Sequence, residues 1–394
     1  MTVLKNVYLI GACRTAVGSF SGSLAKLTAS QMGAEVIKEA LKRAGVSAAD
    51  VDEVVMGNVL QAAQGQSPAR QMAIAAGVPV EVPATTINKV CGSALHAVTL
   101  AYRSILAGEN QCVIAGGAES MSNTPYAVKG IRTGVKMGNQ QLIDVMINDG
   151  LWDVFNNYHM GITAENVAEK YGVTRQMQDE FAVASQKKAA AAIASGAFKD
   201  EIVPITIPQK KGDPIVFDTD EYVKGNTTLE KIAGLKPAFK KDGTVTAANA
   251  SGINDGAAAV IVASEEFVKA HGLKPQARII ATGSKGVDPA YMGLGPIPSV
   301  RDALSKCGLK VEDMKYIEAN EAFAAQAVQV GRELGIKDEQ LNPKGGAIAI
   351  GHPIGASGCR ILVTLIHELK AGEKGIATLC IGGGMGEAVV IEKM

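Results

Sequence analysis

One sequence pattern occurs twice in this chain of 394 residues, once toward each end. The first copy, ALKRAGV, spans 40–46, and the second, ALSKCGL, spans 303–309. An aspartate and a short apolar run follow both copies at the same distance, at Asp50 and Asp313. Helical spacing, a glycine turn and a buried strand are predicted in each copy. Repeated units of this kind favour mostly parallel, buried strands, so we predict an α/β protein with two similar halves.

The region between the copies, 122–250, has a different composition, with prolines, polar turns and lysine pairs. It contains two amphipathic helix candidates, 163–171 and 176–194, and Thr174 is a suitable cap for the second. We therefore interpret it as a folded lobe inserted into the first half. The predicted division is an N-terminal half at 1–121 with 251–272, the inserted lobe at 122–250, and a C-terminal half at 273–394.

Charge and composition argue against several kinds of partner. Lysine plus arginine equals aspartate plus glutamate at 39 each, so no nucleic-acid or acidic-membrane partner is indicated. No run approaches the ~20 apolar residues of a membrane span. Residues 1–12 lack the features of a signal peptide and predict a first strand, which favours a cytoplasmic protein. Six cysteines without a CxxC pair indicate a reducing compartment, and five scattered histidines suggest no metal site.

Cys91 is the first candidate for chemistry. It follows the segment 84–90 and precedes a stretch with the apolar spacing of a buried helix. Exposed N–H groups and the positive end of the helix dipole at such a position favour the thiolate and lower the thiol pKa. The sequence therefore suggests a nucleophile, although a buried structural cysteine is the commoner outcome for a single cysteine.

His352 stands in an apolar run at 345–351 that we predict as a strand leading into a glycine-rich helix start. A histidine there suits proton transfer or oxyanion binding, and its neighbouring glycines permit close substrate approach. The glycine spacing matches neither a P-loop nor a dinucleotide fingerprint. A structural histidine is the alternative.

Cys380 and Asn320 complete the candidate set. Cys380 ends a predicted strand, and three glycines at 382–384 leave the neighbouring amides open to a ligand. A thiol beside open N–H donors suits acid–base chemistry, and a small strand residue before a turn is the alternative. Asn320 is suited to holding a water or donating a hydrogen bond, and a helix cap is equally compatible with its neighbours.

Four motifs together resemble the signatures of the thiolase family. They are NKVCGS at 88–93, NEAF at 320–323, GHPIGASG at 351–358 and CIGGGMG at 380–386. The resemblance covers essentially the whole chain and includes its order, spacing and duplication. It implies a thiolase fold, in which two duplicated α/β halves stack as a five-layered core and the inserted lobe covers a coenzyme A channel. It also implies a homodimer or homotetramer.

The resemblance further implies a reaction and a role for each matched residue. Cys91 would take up an acyl group with help from His352, and Cys380 would remove the α-proton of a second acetyl-CoA. His352 and a water on Asn320 would form one oxyanion hole. The amides of Cys91 and Gly382 would form the other. Acetyl-CoA, acetoacetyl-CoA and coenzyme A are then substrates and products, and no permanently bound cofactor is expected.

Binding residues are implied in the same way. The YHMG stretch at 158–161 resembles the short-chain, acetoacetyl-CoA-using branch of the family. The residues implied to line the acyl pocket or contact the coenzyme are His159, Met160, Ser251, Met292, Phe323, Leu151 and Lys224. One departure from the family pattern is Ala94, where relatives usually carry glycine, and its methyl group is expected to crowd the helix packing or the active-site wall.

Other functions are compatible with parts of this pattern. A 3-ketoacyl-CoA thiolase with a broader chain-length range would share the motifs, and chain-length preference would distinguish it. A non-catalytic thiolase-like binding protein is disfavoured by the intact Cys91, His352 and Cys380. A carrier-protein-dependent ketoacyl synthase would generally lack Cys380. Two reactive thiols in one pocket also suggest a disulfide that forms under oxidation.

Overall fold

The computed structural model of the protein describes residues 6–394. The first strand predicted from residues 1–12 is present from Val7, and residues 1–5 of that prediction lie outside the described residues. The strands are β1 (Val7–Thr15), β2 (Gly18–Ser19), β3 (Glu53–Gly57), β4 (Ala84–Ile87), β5 (Cys112–Ser120), β6 (Tyr126–Ala127), β7 (Ile143–Asp144), β8 (Trp152–Asp153), β9 (Tyr158–His159), β10 (Ile202–Val203), β11 (Ile205–Ile207), β12 (Ile215–Phe217), β13 (Asn254–Ser264), β14 (Ala277–Gly286), β15 (Tyr316–Ala319), β16 (Lys374–Ile381) and β17 (Met385–Lys393).

The helices alternate with these strands in both halves of the chain. They are α1 (Ala29–Ala44), α2 (Pro68–Ala75), α3 (Ser93–Ala107), α4 (Met160–Tyr171), α5 (Arg175–Ala194), α6 (Leu229–Ala233), α7 (Glu265–Ala270), α8 (Pro296–Cys307), α9 (Ala324–Leu334), α10 (Ala347–Ile350) and α11 (Ser357–Glu368).

The duplication seen in the sequence is repeated in the strand order. In the N-terminal half, β1, β13, β5 and β3 are neighbours, with antiparallel, antiparallel and parallel pairing. In the C-terminal half, β14, β17, β16 and β15 follow one another with the same three pairings. The prediction of two similar α/β halves is therefore confirmed. The expectation of mostly parallel strands is wrong, because two of these three pairings in each half are antiparallel.

Five layers follow from the packing of helices on these strands. Helix α1 packs on β1 and β13 on one outer face, and α8 packs on β14 and β17 on the other. Helices α3 and α11 pack against each other between the two sets of strands, with α3 on β3 and β5 and α11 on β15 and β16. The two sets also join edge to edge, where Tyr8 pairs with Arg278 and Leu9 with Ala277.

The middle layer explains the apolar character of α3. Segment Val90–Ala107 is long and apolar enough to cross a membrane by length and composition, with a mean hydropathy of 1.2. It is a core helix here, because Ala94, Leu95 and Val98 on it have no exposed surface. Burial between two sheets accounts for a helix that is hydrophobic nearly all round.

The inserted lobe contains both predicted helices, as α4 and α5. The Thr174 hydroxyl accepts the N–H of Met177 and caps α5, as predicted. The strand predicted at 345–351 is wrong, because Ala347–Ile350 forms a single helical turn. A four-residue apolar run between glycines fits either structure by periodicity alone. The boundaries proposed for the three domains stay a prediction.

Candidate active site

The loop before α3 presents Cys91. Val90 has a φ of 46°, in the left-handed region that is unusual for a β-branched residue. The preceding Lys89 is anchored to the other half of the molecule, since its Nζ donates to Glu387 Oε2 at 2.6 Å and to Ser284 Oγ at 2.8 Å. Helix α3 starts two residues after Cys91, at Ser93. The strained residue, Val90, therefore lies between the anchored Lys89 and the start of α3.

The expectation that Cys91 has a lowered pKa is wrong for the ligand-free protein. Burial raises the pKa of the Cys91 thiol to about 11, although the N–H groups of Gly382 and of Cys91 itself act in the opposite direction. The charge of Glu119 raises it further. The helix start is present as predicted, but the loss of water around the sulfur outweighs it.

Cys380 and Gly382 lie beside Cys91. The Gly382 N–H lies near enough to the Cys91 sulfur to lower the pKa of the thiol. Burial raises the pKa of Cys380 well above its usual value, and the proximity of Cys91 adds to this shift. A Cβ atom at position 382 would lie 3.2 Å from Val90 Cγ1, so glycine lets the backbone at this position lie close to the loop that carries Cys91. Both thiols are thus neutral and face a backbone amide.

His352 lies in the loop between α10 and α11. Its N–H donates to Asn254 Oδ1 at 2.9 Å, and its ring Nδ1 lies 2.6 Å from Ser357 Oγ. Its Nε2 is buried without a hydrogen-bond partner among the described residues. Burial, together with the charge of Arg360, lowers the pKa of His352 to about 4. The imidazole is therefore neutral at pH 7, with one ring nitrogen free.

Glu119 at the end of β5 holds this loop from the N-terminal half. Its Oε2 accepts the N–H of Gly355 at 2.9 Å and that of Val59 at 3.0 Å. Its Oε1 accepts the N–H of Leu60 and the side-chain amide of Asn58. Burial raises the pKa of Glu119 to about 7, against the effect of these backbone donors. Sequence reasoning missed this residue, because an acidic residue in an apolar strand does not reveal its partners.

Asn320 directly follows β15, as its position in the sequence predicted. Its side-chain oxygen and nitrogen are both buried without a hydrogen-bond partner among the described residues. The alternative of a helix cap is wrong, because α9 begins at Ala324 and Phe323 is in the cap position. A buried amide with free donor and acceptor atoms is suited to binding a water or a ligand.

A cavity of about 580 Å³ adjoins these residues. Six of the predicted residues line it, namely Leu151, His159, Lys224, Ser251, Phe323 and His352. Met160 and Met292 are not among the lining residues, but they pack in one apolar cluster with Phe323 and Cys380. Cys91 packs in another apolar cluster with the lining residues Met121 and Ile354. Cys91, Cys380, Asn320 and Gly382 are not among the lining residues, and each thiol belongs to an apolar cluster that also includes part of the wall.

The lobe supplies an aromatic wall that sequence reasoning missed. The Phe239 ring stacks on His159 with centroids 4.6 Å apart, and it meets Phe323 edge-on at 6.2 Å. Gly161 makes room for this ring, since a side chain there would lie 2.2 Å from it. Tyr222 and Phe20 also line the cavity. An aromatic residue in a polar loop carries no local signal for such a role.

Ala94 faces the sheet and does not line the cavity. Its methyl group points at Gly117 of β5, where a side chain would approach it to 2.8 Å. The expected crowding of helix packing is relieved because residue 117 is glycine. The expectation that Ala94 crowds the active-site wall is wrong, because Ala94 is not among the residues that line the cavity.

The chemistry available here is that of acyl transfer. A neutral imidazole lines an apolar cavity that a flexible, partly polar ligand can enter, and the two neighbouring thiols and the buried Asn320 amide add groups suited to this chemistry. Across residues 6–394, no group of three or more His, Cys, Asp or Glu side chains is placed to hold a metal ion.

Comparisons with known proteins agree with this chemistry. The family model described as "Thiolase, N-terminal domain" matches residues 7–266, and "Thiolase, C-terminal domain" matches residues 273–393. An acetyl-CoA acetyltransferase of Pseudomonas aeruginosa is 57% identical over 392 residues, covering 99% of this chain and 100% of the relative. The acetyl-CoA acetyltransferase of Cupriavidus necator is 58% identical, with the same coverage.

Solved structures show the same similarity. The Bacillus anthracis acetyl-CoA acetyltransferase superposes with a TM-score of 0.97 at 45% identity, and human mitochondrial 3-ketoacyl-CoA thiolase with a TM-score of 0.97 at 42% identity. Each comparison covers 100% of both chains.

Proposed function

The chain belongs to the thiolase family, and from that premise we propose that it is an acetyl-CoA acetyltransferase. It joins two acetyl-CoA into acetoacetyl-CoA and free coenzyme A, and it catalyses the reverse thiolysis. The observation that carries the proposal is that Cys91 lies near both the Gly382 N–H and Cys380, which come from the other half of the chain and influence, or are influenced by, the Cys91 thiol. An N–H donor near the sulfur that would attack a thioester is suited to binding the oxyanion that forms there.

The first half-reaction transfers the acetyl group to the enzyme. The Cys91 proton passes to Nε2 of His352, and the thiolate forms a bond to the thioester carbonyl carbon. The amides of Cys91 and Gly382 stabilise the oxyanion, a contribution of about 3–4 kcal/mol per donor. Coenzyme A then leaves as its C–S bond breaks, and its sulfur takes the proton of Cys380, which leaves Cys380 as a thiolate and His352 as an imidazolium.

The second half-reaction forms the carbon–carbon bond. The Cys380 thiolate removes the α-proton of a second acetyl-CoA, and the Nε2–H of His352 and a water on Asn320 stabilise the enolate oxygen. The enolate carbon attacks acetyl-Cys91, whose thiolate leaves and takes the Nε2 proton of His352, while Cys380 keeps the α-proton. A covalent intermediate between two substrates makes the kinetics ping-pong.

The cavity wall supports a short acyl group and a long coenzyme arm. His159 and Phe239 stack on each other, and together with Phe323 they narrow the inner cavity. Ser251 contacts the pantetheine arm in this proposal, and Leu151 and the exposed Lys224, which line the same cavity, lie near the coenzyme. Met160 and Met292 lie behind Phe323 and limit acyl length. Coenzyme A is substrate and product, and no cofactor is retained between turnovers.

We also propose that the protein is a cytoplasmic homodimer or homotetramer. Support comes from an exposed apolar stretch in the inserted lobe. Its most exposed side chains are Tyr126, Ile131, Met137 and Leu142, at 62, 59, 96 and 69%. Monomeric proteins rarely expose so many large apolar residues within one short segment.

The test is intact-mass analysis after incubation with acetoacetyl-CoA. The wild-type protein should gain one acetyl group and release acetyl-CoA, while Cys91→Ala should gain none. Cys307→Ala is the matched control, because Cys307 is a half-buried cysteine on α8 that lies outside the cavity wall. An acetyl group that is retained in Cys91→Ala would contradict the proposed nucleophile.

A further inference from the structure

The Ser357 hydroxyl has two polar neighbours. Its Oγ lies 2.9 Å from the carbonyl oxygen of Pro353 and 2.6 Å from Nδ1 of His352. A serine hydroxyl has one proton, and a carbonyl oxygen has none. Both contacts are hydrogen bonds in only one arrangement, in which Ser357 donates to Pro353 and accepts from Nδ1 of His352.

This arrangement specifies where His352 carries its own proton. A neutral imidazole has one N–H, on either Nδ1 or Nε2. Because Ser357 accepts, the proton lies on Nδ1 of His352. The lone pair is then on Nε2, which is buried without a partner among the described residues and belongs to a residue of the cavity wall.

The hydroxyl has little freedom to change this arrangement. Ser357 has no exposed surface and is the first residue of α11. Its backbone N–H and its hydroxyl both donate to Pro353 O at 2.9 Å, so two hydrogen bonds to one carbonyl oxygen restrict the orientation of the Ser357 side chain. On the opposite side, Asn254 fixes the backbone of His352.

We propose that Ser357 is a positioning residue that holds His352 in the tautomer with its proton on Nδ1, so that Nε2 is the nitrogen that exchanges protons in the cavity. This inference rests on the proposed function, in which His352 serves the Cys91 thiol. In that step the S–H bond of Cys91 breaks and an Nε2–H bond forms. The resulting imidazolium keeps its Nδ1–H on Ser357, and its new Nε2–H can donate to a substrate oxygen.

The opposite tautomer would disable the same residue. With the proton on Nε2, His352 would have no lone pair toward the cavity, and Ser357 could donate to Nδ1 only by giving up its hydrogen bond to Pro353. The orientation of a catalytic imidazole by a neighbouring acceptor is a general requirement of histidine bases, and loss of the correct tautomer costs large factors in rate.

The direct test is NMR of the histidine ring nitrogens in the wild-type protein, labelled with ¹⁵N-histidine. The chain has five histidines, and a spectrum of His352→Asn identifies the signals of His352. At pH 7 we expect His352 to show a protonated Nδ1 and an unprotonated Nε2. A protonated Nε2 in the neutral ring would overturn the proposal. This measurement needs neither turnover nor a Ser357 variant.

A kinetic test uses Ser357→Ala. We expect kcat to fall about tenfold or more, within the range that general acid–base catalysis contributes. KM should stay within about twofold, because the hydroxyl makes no proposed substrate contact. The His352 signals should move toward the other tautomer. An unchanged kcat with an unchanged His352 spectrum would overturn the proposal.

The matched control is Ser299→Ala. Ser299 is a fully buried helix serine on α8 whose Oγ accepts the N–H of Lys285 at 3.2 Å, outside the cavity wall. Its loss removes an equivalent hydroxyl, so kcat and the His352 spectrum should stay as in wild type. Failure of the proposed function gives a different result from failure of this inference. If the proposed function fails, the wild-type protein forms no acetyl-Cys91, but NMR still shows the tautomer of His352.

Discussion

Cys91 and His352 are shifted in opposite directions by the same physical cause. Burial disfavours the charged form of each group, which is the thiolate for cysteine and the imidazolium for histidine. The pKa of Cys91 is therefore raised to about 11, while that of His352 is lowered to about 4. At pH 7 the pair is therefore a thiol and a neutral imidazole. In the proposed reaction, proton transfer gives a thiolate and an imidazolium when the substrate carbonyl oxygen binds to the amides of Cys91 and Gly382.

The first prediction at this scale concerns alkylation of Cys91 by iodoacetamide. Its rate should rise about tenfold per pH unit from pH 6 to pH 9.5, because the thiolate fraction is still small throughout that range. Intact mass, compared between wild type and Cys91→Ala, measures the rate at this residue. N-acetylcysteine is the reference, and its rate should level off above its pKa of about 8.5. A plateau near pH 7 in the protein would show that a thiolate exists at rest.

Residue identities were predictable from the sequence, but their electrostatics were not. The four motifs identified Cys91, Asn320, His352 and Cys380, because each stands beside glycines or at the end of an apolar run. The sign of the Cys91 pKa shift depends on how much water surrounds the sulfur. That quantity is set by residues far away in the chain, such as Ile381, which packs with Cys91 in one buried cluster.

At the scale of elements, capping chemistry was the most reliable guide. Thr174 was predicted as the cap of α5 and occupies that place, where it holds the helix that packs on α9 and α10. A side-chain oxygen three residues before a free backbone N–H is a local signal, so no tertiary contact is needed to find it. The strand predicted at 345–351 failed for the opposite reason, because packing decided between two structures that its sequence permits equally.

The prediction for an element is that Thr174→Ala destabilises the protein by about 1 kcal/mol through loss of the α5 cap. Urea unfolding at pH 7 measures this difference. Thr174→Ser is the matched control, since it keeps the hydroxyl and should lose much less. The acetyl-transfer rate should be unchanged in both variants, because Thr174 lies outside the cavity wall. Equal stability of the alanine and serine variants would argue against a contribution from the cap.

At the scale of the whole molecule, anchored side chains tie the two halves together. Lys89 and His96 from the N-terminal half both contact Glu387 of the C-terminal half, at 2.6 and 3.2 Å. Burial alone would raise the pKa of Glu387, but hydrogen bonds from His96 and Lys89 lower it to about 2. Lys89 and His96 thus keep the buried Glu387 carboxylate ionised. This link between the halves lies on β17, the strand next to β16, which carries Cys380. The duplicated sequence predicted the two halves, but not this link, whose residues are 291 and 298 positions apart.

The prediction for the whole molecule concerns assembly. Wild type should exceed the 40.8 kDa mass of one chain by size-exclusion chromatography with light scattering, and a double variant Met137→Glu with Leu142→Glu should be smaller than wild type. Charge on this exposed apolar stretch opposes its burial against another subunit. Val80→Glu, which changes an isolated apolar residue that is 68% exposed, should leave the mass unchanged. A wild-type mass of one chain would contradict the proposed oligomer.

The equivalence of α3 and α11 in the middle layer has an evolutionary consequence. Each helix precedes the equivalent strand of its half, β5 or β16, and each is preceded by a residue of the proposed catalytic pair, Cys91 or His352. The proposed nucleophile and base thus lie before corresponding helices of two similar halves. If the halves descend from one duplicated unit, the pair arose by divergence, because identical copies would have carried the same residue twice. Neither half alone holds both residues of the proposed pair, so neither half could be lost without loss of the proposed activity.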